Sequence, residues 1–134
     1  MPKAVLIPLA LSLLLGAAAT SIHFVDIADE AGLRLPNTFG GRNRKDFILE
    51  TTGTGVAIFD FDGDGWNDIF IANGTTLDRS GAKPALTSHL YRNDGAGRFT
   101  PVSEQAGFTK EGWAQGVCVA DYNNDGHPDL LVTY

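Results

Sequence analysis

Short apolar runs alternate with polar, glycine-containing turns along most of the chain. Six of these runs predict strands, because β-branched and aromatic residues favour extended structure. The predicted strands span residues 55–59, 69–73, 88–93, 98–103, 116–120 and 130–134. The first two runs carry apolar residues on both faces, which predicts burial on both sides. Asp94-Gly95-Ala96-Gly97 is a hairpin signal, and helical spacing after the N-terminus is limited to one turn at residues 103–107. The pattern predicts an all-β fold.

A gapless internal repeat organises these strands. Residues 55–71 align with residues 116–132 at an offset of 61, and residues 24–33 resemble residues 99–108 at an offset of 75. The 14 additional residues of the first unit are predicted to form a loop insertion after Leu33. Each unit contains a strand, an Asp-rich loop, a second strand and a hairpin. Four strands in about 60 residues are typical of a β-propeller blade, and two unrelated hairpins in a small sandwich are the alternative.

Two Asp-rich segments carry the candidate chemistry: residues 60–68, the first loop, and residues 121–129, the second loop. Their patterns, D-x-D-x-D-G-x-x-D and D-x-N-x-D-G-x-x-D, place side-chain oxygens at positions 1, 3, 5 and 9. Calcium takes about six to eight oxygen ligands, and a backbone carbonyl is expected at position 7. The ligands predicted in the first loop are Asp60, Asp62, Asp64, Trp66 through its carbonyl, and Asp68. Those predicted in the second loop are Asp121, Asn123, Asp125, His127 through its carbonyl, and Asp129.

The spacing favours this type of calcium loop over other metal sites. An EF-hand begins in the same way but needs a Glu at position 12, which is Ile71 in one loop and Val132 in the other. Zinc would require nitrogen or sulfur ligands that the loops lack. Gly65 lies where the first loop must bend sharply. The second loop has one carboxylate fewer and is expected to bind calcium more weakly. A pair of solvated Asp-Gly turns that bind no ion is the alternative.

The N-terminus has the pattern of a secretory signal peptide, with Lys3, an apolar run to Leu15 and small residues up to Ala19. Cleavage after Ala19 is expected to remove residues 1–19 and leave residues 20–134 as the repeat region. An uncleaved membrane anchor is the alternative, but the apolar run is shorter than the roughly 20 residues of a spanning helix. We therefore expect a secreted, periplasmic or cell-surface protein with no membrane span after cleavage.

Charge and the remaining reactive residues narrow the range of partners. The net charge of −6 disfavours nucleic acid and anionic membranes as partners. The single Cys118 lies in an apolar run and is expected to be a buried small hydrophobe. His23 and His89 have no companions and are expected to be surface or capping residues. Asn73 begins a glycosylation sequon, Asn-Gly-Thr.

Residues 55–60 with the first loop, and residues 89–99 (HLYRNDGAGRF), resemble the FG-GAP and VCBS repeats of integrin-α-like propellers. The strongest resemblance is to bacterial relatives of cartilage acidic protein, which carry an ASPIC/UnbV domain after the propeller. It covers residues 22–134. It implies a calcium-stabilised seven-bladed propeller outside the cytoplasm, with roles in adhesion or in binding an extracellular protein or carbohydrate ligand, and no catalytic residues. The chain holds about two blades and is expected to be an N-terminal fragment of such a protein.

A haloacid-dehalogenase-like phosphatase is the competing hypothesis. Residues 58–63 resemble the start of those enzymes, with Asp60 as the nucleophile and Asp62 as the acid. The repeat replaces the second of these carboxylates by Asn123, and the alternating helices of that fold are not predicted. We therefore expect a protein that is not an enzyme.

Overall fold

The computed structural model describes residues 21–41, 43–77 and 87–134, and the predicted signal peptide lies outside them. Within these ranges the regular secondary structure is mostly antiparallel sheet, which confirms the all-β prediction. One helical turn, α1 (Ala28–Ala31), and one 3-10 turn (Ile48–Thr51) precede six strands: β1 (Val56–Phe59), β2 (Asp68–Ile71), β3 (His89–Asn93), β4 (Phe99–Pro101), β5 (Val117–Ala120) and β6 (Asp129–Val132). Every predicted strand is present, with ends that differ by at most two residues. No described helix is long and apolar enough to cross a membrane.

The strands form two sheets that repeat the same register. The first sheet has the order β1-β2-β3-β4, and the second sheet pairs β5 with β6. Phe59 is opposite Asp68 in the first sheet, and Ala120 is opposite Asp129 in the second. These pairs differ by the 61 residues of the sequence repeat, so the repeat corresponds to equal strand pairing. The β3–β4 turn closes as predicted, through a 2.9 Å hydrogen bond from the Asp94 N–H to the Arg98 carbonyl.

The weaker sequence similarity at an offset of 75 corresponds to the same backbone hydrogen bond in both copies. At α1, the Leu33 N–H donates to the Ala28 carbonyl at 2.9 Å. The corresponding bond in the second copy runs from the Phe108 N–H to the Ser103 carbonyl at 2.8 Å. The predicted turn at residues 103–107 therefore forms, and the same backbone pattern continues into a short helix in the first copy.

The core lies between one face of the first sheet and the second sheet. Phe70 and Leu90 are fully buried, and the Phe70 ring lies 5.3 Å from that of Phe108. Apolar side chains from both sheets and their connections complete the cluster: Ala57, Phe59, Phe61, Ala72, Val102, Ala114, Val117, Leu130 and Val132. Burial of this apolar surface stabilises the contact between the two repeat units.

The insertion predicted after Leu33 covers part of the opposite face of the first sheet. The Leu35 N–H donates to the Tyr91 hydroxyl at 3.0 Å, and the Thr38 N–H donates to Asn73 Oδ1 at 2.7 Å. His89 Nε2 lies 3.1 Å from the Pro36 carbonyl. His89 is therefore a buried structural residue, and its predicted surface position is wrong. The Asn73 side chain is also buried, which leaves no room for a glycan at the sequon of the folded protein.

Two burial predictions fail in the same region of the fold. β1 was predicted to be buried on both faces, but Val56 and Ile58 are 60% and 65% exposed. Cys118, predicted to be buried, is also exposed. Val56 and Ile58 lie at the β1 end of the face that the insertion covers only in part, because its described contacts are with Tyr91, Asn73 and His89. Cys118 lies on the face of the second sheet that points away from the core.

Candidate metal centre

The first loop is shaped by its own carboxylates. Asp60 Oδ1 accepts hydrogen bonds from the Gly63 and Asp64 N–H groups at 2.8 and 3.1 Å, and its Oδ2 accepts one from Gly65 at 2.8 Å. Gly65 has a φ of 89°, which glycine adopts without steric cost. The backbone therefore curls around Asp60 and bends at Gly65, where the sequence predicts a sharp turn.

Three of the four first-loop carboxylates converge. Asp60, Asp62 and Asp68 each place one carboxylate oxygen so that these atoms all lie within 4.8 Å of one another. Asp64 is not in this group, and its Oδ1 accepts the Trp66 N–H at 2.9 Å. A donor set made only of carboxylate oxygens fits a hard cation such as calcium or magnesium.

Asp68 anchors the base of the group. It is fully buried at the start of β2, and its Oδ2 accepts the Phe61 N–H at 3.0 Å. Its Oδ1 accepts the Asn93 N–H at 2.8 Å from the end of β3. The Asn93 side chain in turn donates to the Asn67 carbonyl at 2.9 Å. Asn93 therefore joins the first loop to the β3–β4 hairpin. Loop spacing could not reveal this contact, because Asn93 lies 25 residues after Asp68.

The remaining first-loop position, Trp66, packs on the same hairpin. Its side chain is 52% exposed. A Cβ added to Gly95 would lie 2.7 Å from the indole Cε2, so the ring rests directly on the turn. The expected ligand role of the Trp66 carbonyl stays a prediction, and the described contacts of the residue involve its N–H and its ring.

The second loop reproduces the hydrogen bonds of the first. Tyr122 N–H donates to Asp129 Oδ2 at 3.0 Å, as Phe61 does to Asp68. The Asp125 and Gly126 N–H groups donate to the two carboxylate oxygens of Asp121 at 3.1 and 2.9 Å. The His127 N–H donates to Asp125 Oδ1 at 2.8 Å, as Trp66 does to Asp64, and the His127 side chain is exposed. Two loops with different side chains thus adopt one backbone pattern.

The two loops also differ in ways that bear on metal binding. Asn123 Nδ2 donates to Asp125 Oδ2 at 2.9 Å. The His127 N–H, and then the Asn123 amide, hold the pKa of Asp125 below its usual range. The backbone of Asn124 has a φ of 58° at the position that corresponds to Gly63. The clustering of three carboxylates is found among the described residues only in the first loop.

A cation borders the first loop and was not singled out by the sequence patterns. Arg92 Nε, on β3, lies 3.4 Å from Asp62 Oδ2 and 3.9 Å from Asp64 Oδ2. Its neighbour Asn93 holds Asp68, so one strand of the hairpin contacts three acidic residues of the first loop.

Comparison with protein families accounts for this repeated arrangement. Residues 60–132 match the model of the FG-GAP-like repeat, from the first residue of the first loop to the end of β6. The match covers more than half of the chain. This chain belongs to the FG-GAP-like repeat family. It matches no curated protein and no solved structure.

The FG-GAP-like repeat assignment bears on both hypotheses drawn from the sequence. It includes Asp60 and Asp62, on which the phosphatase hypothesis depends, and it places them in a repeat together with the second loop. No comparison favours the phosphatase. The fold and the family agree on a repeat module built from antiparallel strands.

Proposed function

We propose that this FG-GAP-like chain is a secreted, non-catalytic calcium-binding module that recognises an extracellular protein or carbohydrate ligand. The observation that carries the proposal is the equivalence of the two loops. Each of positions 1, 3, 5 and 9 accepts a matching backbone hydrogen bond in both loops, although their sequences differ at several places. A loop geometry retained in two copies is expected when the geometry itself serves a ligand.

Calcium has a physical reason to bind these loops. Each loop brings at least three carboxylates into a few residues, and their mutual repulsion in the absence of a cation disfavours the closed geometry. The proposed ligands are those of the sequence prediction, with Asp60, Asp62 and Asp68 already grouped in the first loop. Bound calcium supplies positive charge that offsets this repulsion and stiffens the connection between β1 and β2.

The same proposal includes the architecture and the location. A β-propeller-like module is supported by the match to the FG-GAP-like repeat and by the packing of the two described units against each other through one apolar cluster. We propose a seven-bladed propeller related to the ASPIC/UnbV proteins, exported by a signal peptide at residues 1–19. N-terminal sequencing of the protein recovered from a secreting host tests the export step. A mature chain that begins at Thr20 is the expected result.

Calcium titration calorimetry and a thermal scan test the metal-binding function. We expect heat of binding with calcium, and a rise in melting temperature that a chelator reverses. The double variant Asp60→Asn/Asp121→Asn removes position 1 from both loops and should lose the response. Asp29→Asn is the matched control, because this acid is exposed and lies outside the loops. A wild-type chain whose melting temperature does not change when calcium is added contradicts the proposal.

A further inference from the structure

Arg92 is the one described cation that forms an ion pair with a candidate metal loop. Its side chain is 54% exposed, and its Asp62 and Asp64 partners are 27% and 30% exposed. The pair therefore lies at the mouth of the first loop, in contact with solvent. Because Asn93 is fixed by backbone and side-chain bonds to the loop, the preceding Arg92 is held beside these carboxylates.

The charges of the two loops become equal when Arg92 is included. The first loop has four carboxylates, and the second has three because Asn123 replaces the acid at position 3. Arg92 contacts that same position 3, through Asp62 Oδ2. The second loop has no ion pair with a basic side chain in residues 21–41, 43–77 and 87–134. The first loop with Arg92 and the second loop without a cation thus carry the same formal charge of −3.

We propose that Arg92 competes with the calcium ion for the carboxylates of the first loop and thereby sets the calcium affinity of that loop. The inference rests on the proposed function and identifies what tunes the same site. The guanidinium stays charged at all physiological pH values, so it repels a divalent ion and occupies Asp62, which the ion also needs. The extra carboxylate of the first loop is therefore offset, and the two loops bind calcium with similar affinity. Counting the carboxylates of each loop alone would predict unequal sites.

Terbium and calcium titrations of the full chain test this role. Terbium is a calcium substitute, and Trp66 lies within the first loop whereas the second loop has His127 at this position. The part of the tryptophan-sensitised luminescence that Trp66→Phe abolishes therefore reports on the first loop and excludes any signal from Trp113. Replacing Arg92 by Gln should tighten calcium binding at the first loop by about threefold to tenfold, the range expected for one partly exposed charge. The gain should shrink at high salt, because screening weakens exposed charge interactions.

Two further variants separate charge from general damage. Arg92→Lys keeps the positive charge and should retain an affinity close to that of the wild type. Arg98→Gln removes an exposed cation from the same hairpin without an ion pair to the first loop, and should change nothing. If wild type binds calcium and Arg92→Gln binds it equally or more weakly, Arg92 is not a competitor and this inference alone fails. A wild-type chain that binds no calcium overturns both the inference and the proposed function.

Discussion

Asp68 shows how one residue can serve both the fold and the candidate metal site. Its carboxylate is fully buried, yet both of its oxygens accept backbone N–H groups, from Phe61 and from Asn93. A buried acceptor of this kind is costly to remove, because the donors then lose their partners out of reach of water. Asp68 should therefore stabilise the folded chain even before any ion binds.

We expect Asp68→Asn to lower the free energy of unfolding by about 1–3 kcal/mol in the presence of a chelator. The asparagine side chain has an NH2 group in place of one carboxylate oxygen, and this donor would face a backbone N–H that also donates, so one hydrogen bond is lost. Asp129→Asn is the control, since the described contacts of Asp129 include only the Tyr122 N–H and the side chain is less buried. Urea unfolding measures both. Equal losses would show that the second N–H contact of Asp68 contributes nothing.

Glu50 provides a pH-dependent contribution to stability. Its buried side chain accepts the Gly41 N–H at 2.8 Å, and the Asp46 and Phe47 N–H groups at 2.6 and 3.0 Å. These bonds, with Gly41 first, hold the pKa of Glu50 below its usual range. The stabilisation is therefore complete above the unfolded pKa and is lost as pH falls through the lower folded value.

The stability difference between wild type and Glu50→Gln should be constant near neutral pH and shrink below about pH 4, where the carboxylate of the unfolded chain becomes protonated. Unfolding curves collected across this range test the trend. Glu104→Gln, at an exposed position, should differ little from wild type at every pH. A difference that does not change with pH would mean that the charge on Glu50 has no role.

At the scale of elements, the β3–β4 hairpin is the piece that organises the first loop. Its turn contains Gly95 and Gly97, with φ values of 77° and 78°. Trp66 rests on Gly95, whereas no atom lies within 4 Å of a Cβ added at Gly97. The two glycines thus have the same backbone geometry but different surroundings.

This contrast predicts unequal costs for two alanine substitutions. Gly97→Ala should cost about 1–2 kcal/mol, the penalty of a left-handed backbone for a residue with a side chain. Gly95→Ala should cost more, because its Cβ also displaces the Trp66 ring, and it should shift the tryptophan fluorescence. Chemical unfolding and emission spectra provide the measurements. Equal costs and unchanged spectra would contradict the proposed packing of Trp66.

The elements were largely predictable from the sequence, whereas their surroundings were not. Local patterns suffice for strands and turns, so β1 to β6 were placed within two residues. Arg92, Asn93 and His89 acquire their roles from partners 16 to 53 residues away, which no local pattern encodes. The predicted burial of Ile58 was wrong because an apolar side chain indicates only that a sheet face is suited to packing. It does not show whether another described segment of the chain packs there.

At the scale of the whole molecule, the outer face of the second sheet and the β1 end of the outer face of the first sheet are exposed and complementary. Phe70 contributes to the face of the first sheet that packs on the second sheet, and Leu131 is its counterpart after 61 residues. Leu131 is 66% exposed, and at the other end of the stack Ile58 is 65% exposed. The type of contact that already exists inside the chain can therefore form again between two copies, head to tail.

We expect concentration-dependent association of the chain, measured by sedimentation velocity. Ile58→Lys and Leu131→Lys should each weaken it, because a charge is then buried in an apolar contact. Thr100→Lys, at an exposed position of β4, should have no effect. Since each lysine variant retains the opposite face, an equimolar mixture of the two should form dimers and no larger species. A wild-type chain that stays monomeric at high concentration contradicts this expectation.

The second sheet has one further consequence, for how the backbone exchanges hydrogen with water. The Thr133 N–H donates to the Gly116 carbonyl across the pair. Strand alternation therefore turns the Leu130 and Val132 amides toward the outer edge of β6, where no described strand pairs with it. The equivalent amides of Ile69 and Ile71 face β3. Among these strand amides, those of Leu130 and Val132 should exchange with deuterium first, those of Leu131 and Thr133 next, and those in the interior of the first sheet last. This order would show that local stability declines along the chain from the first repeat to the second.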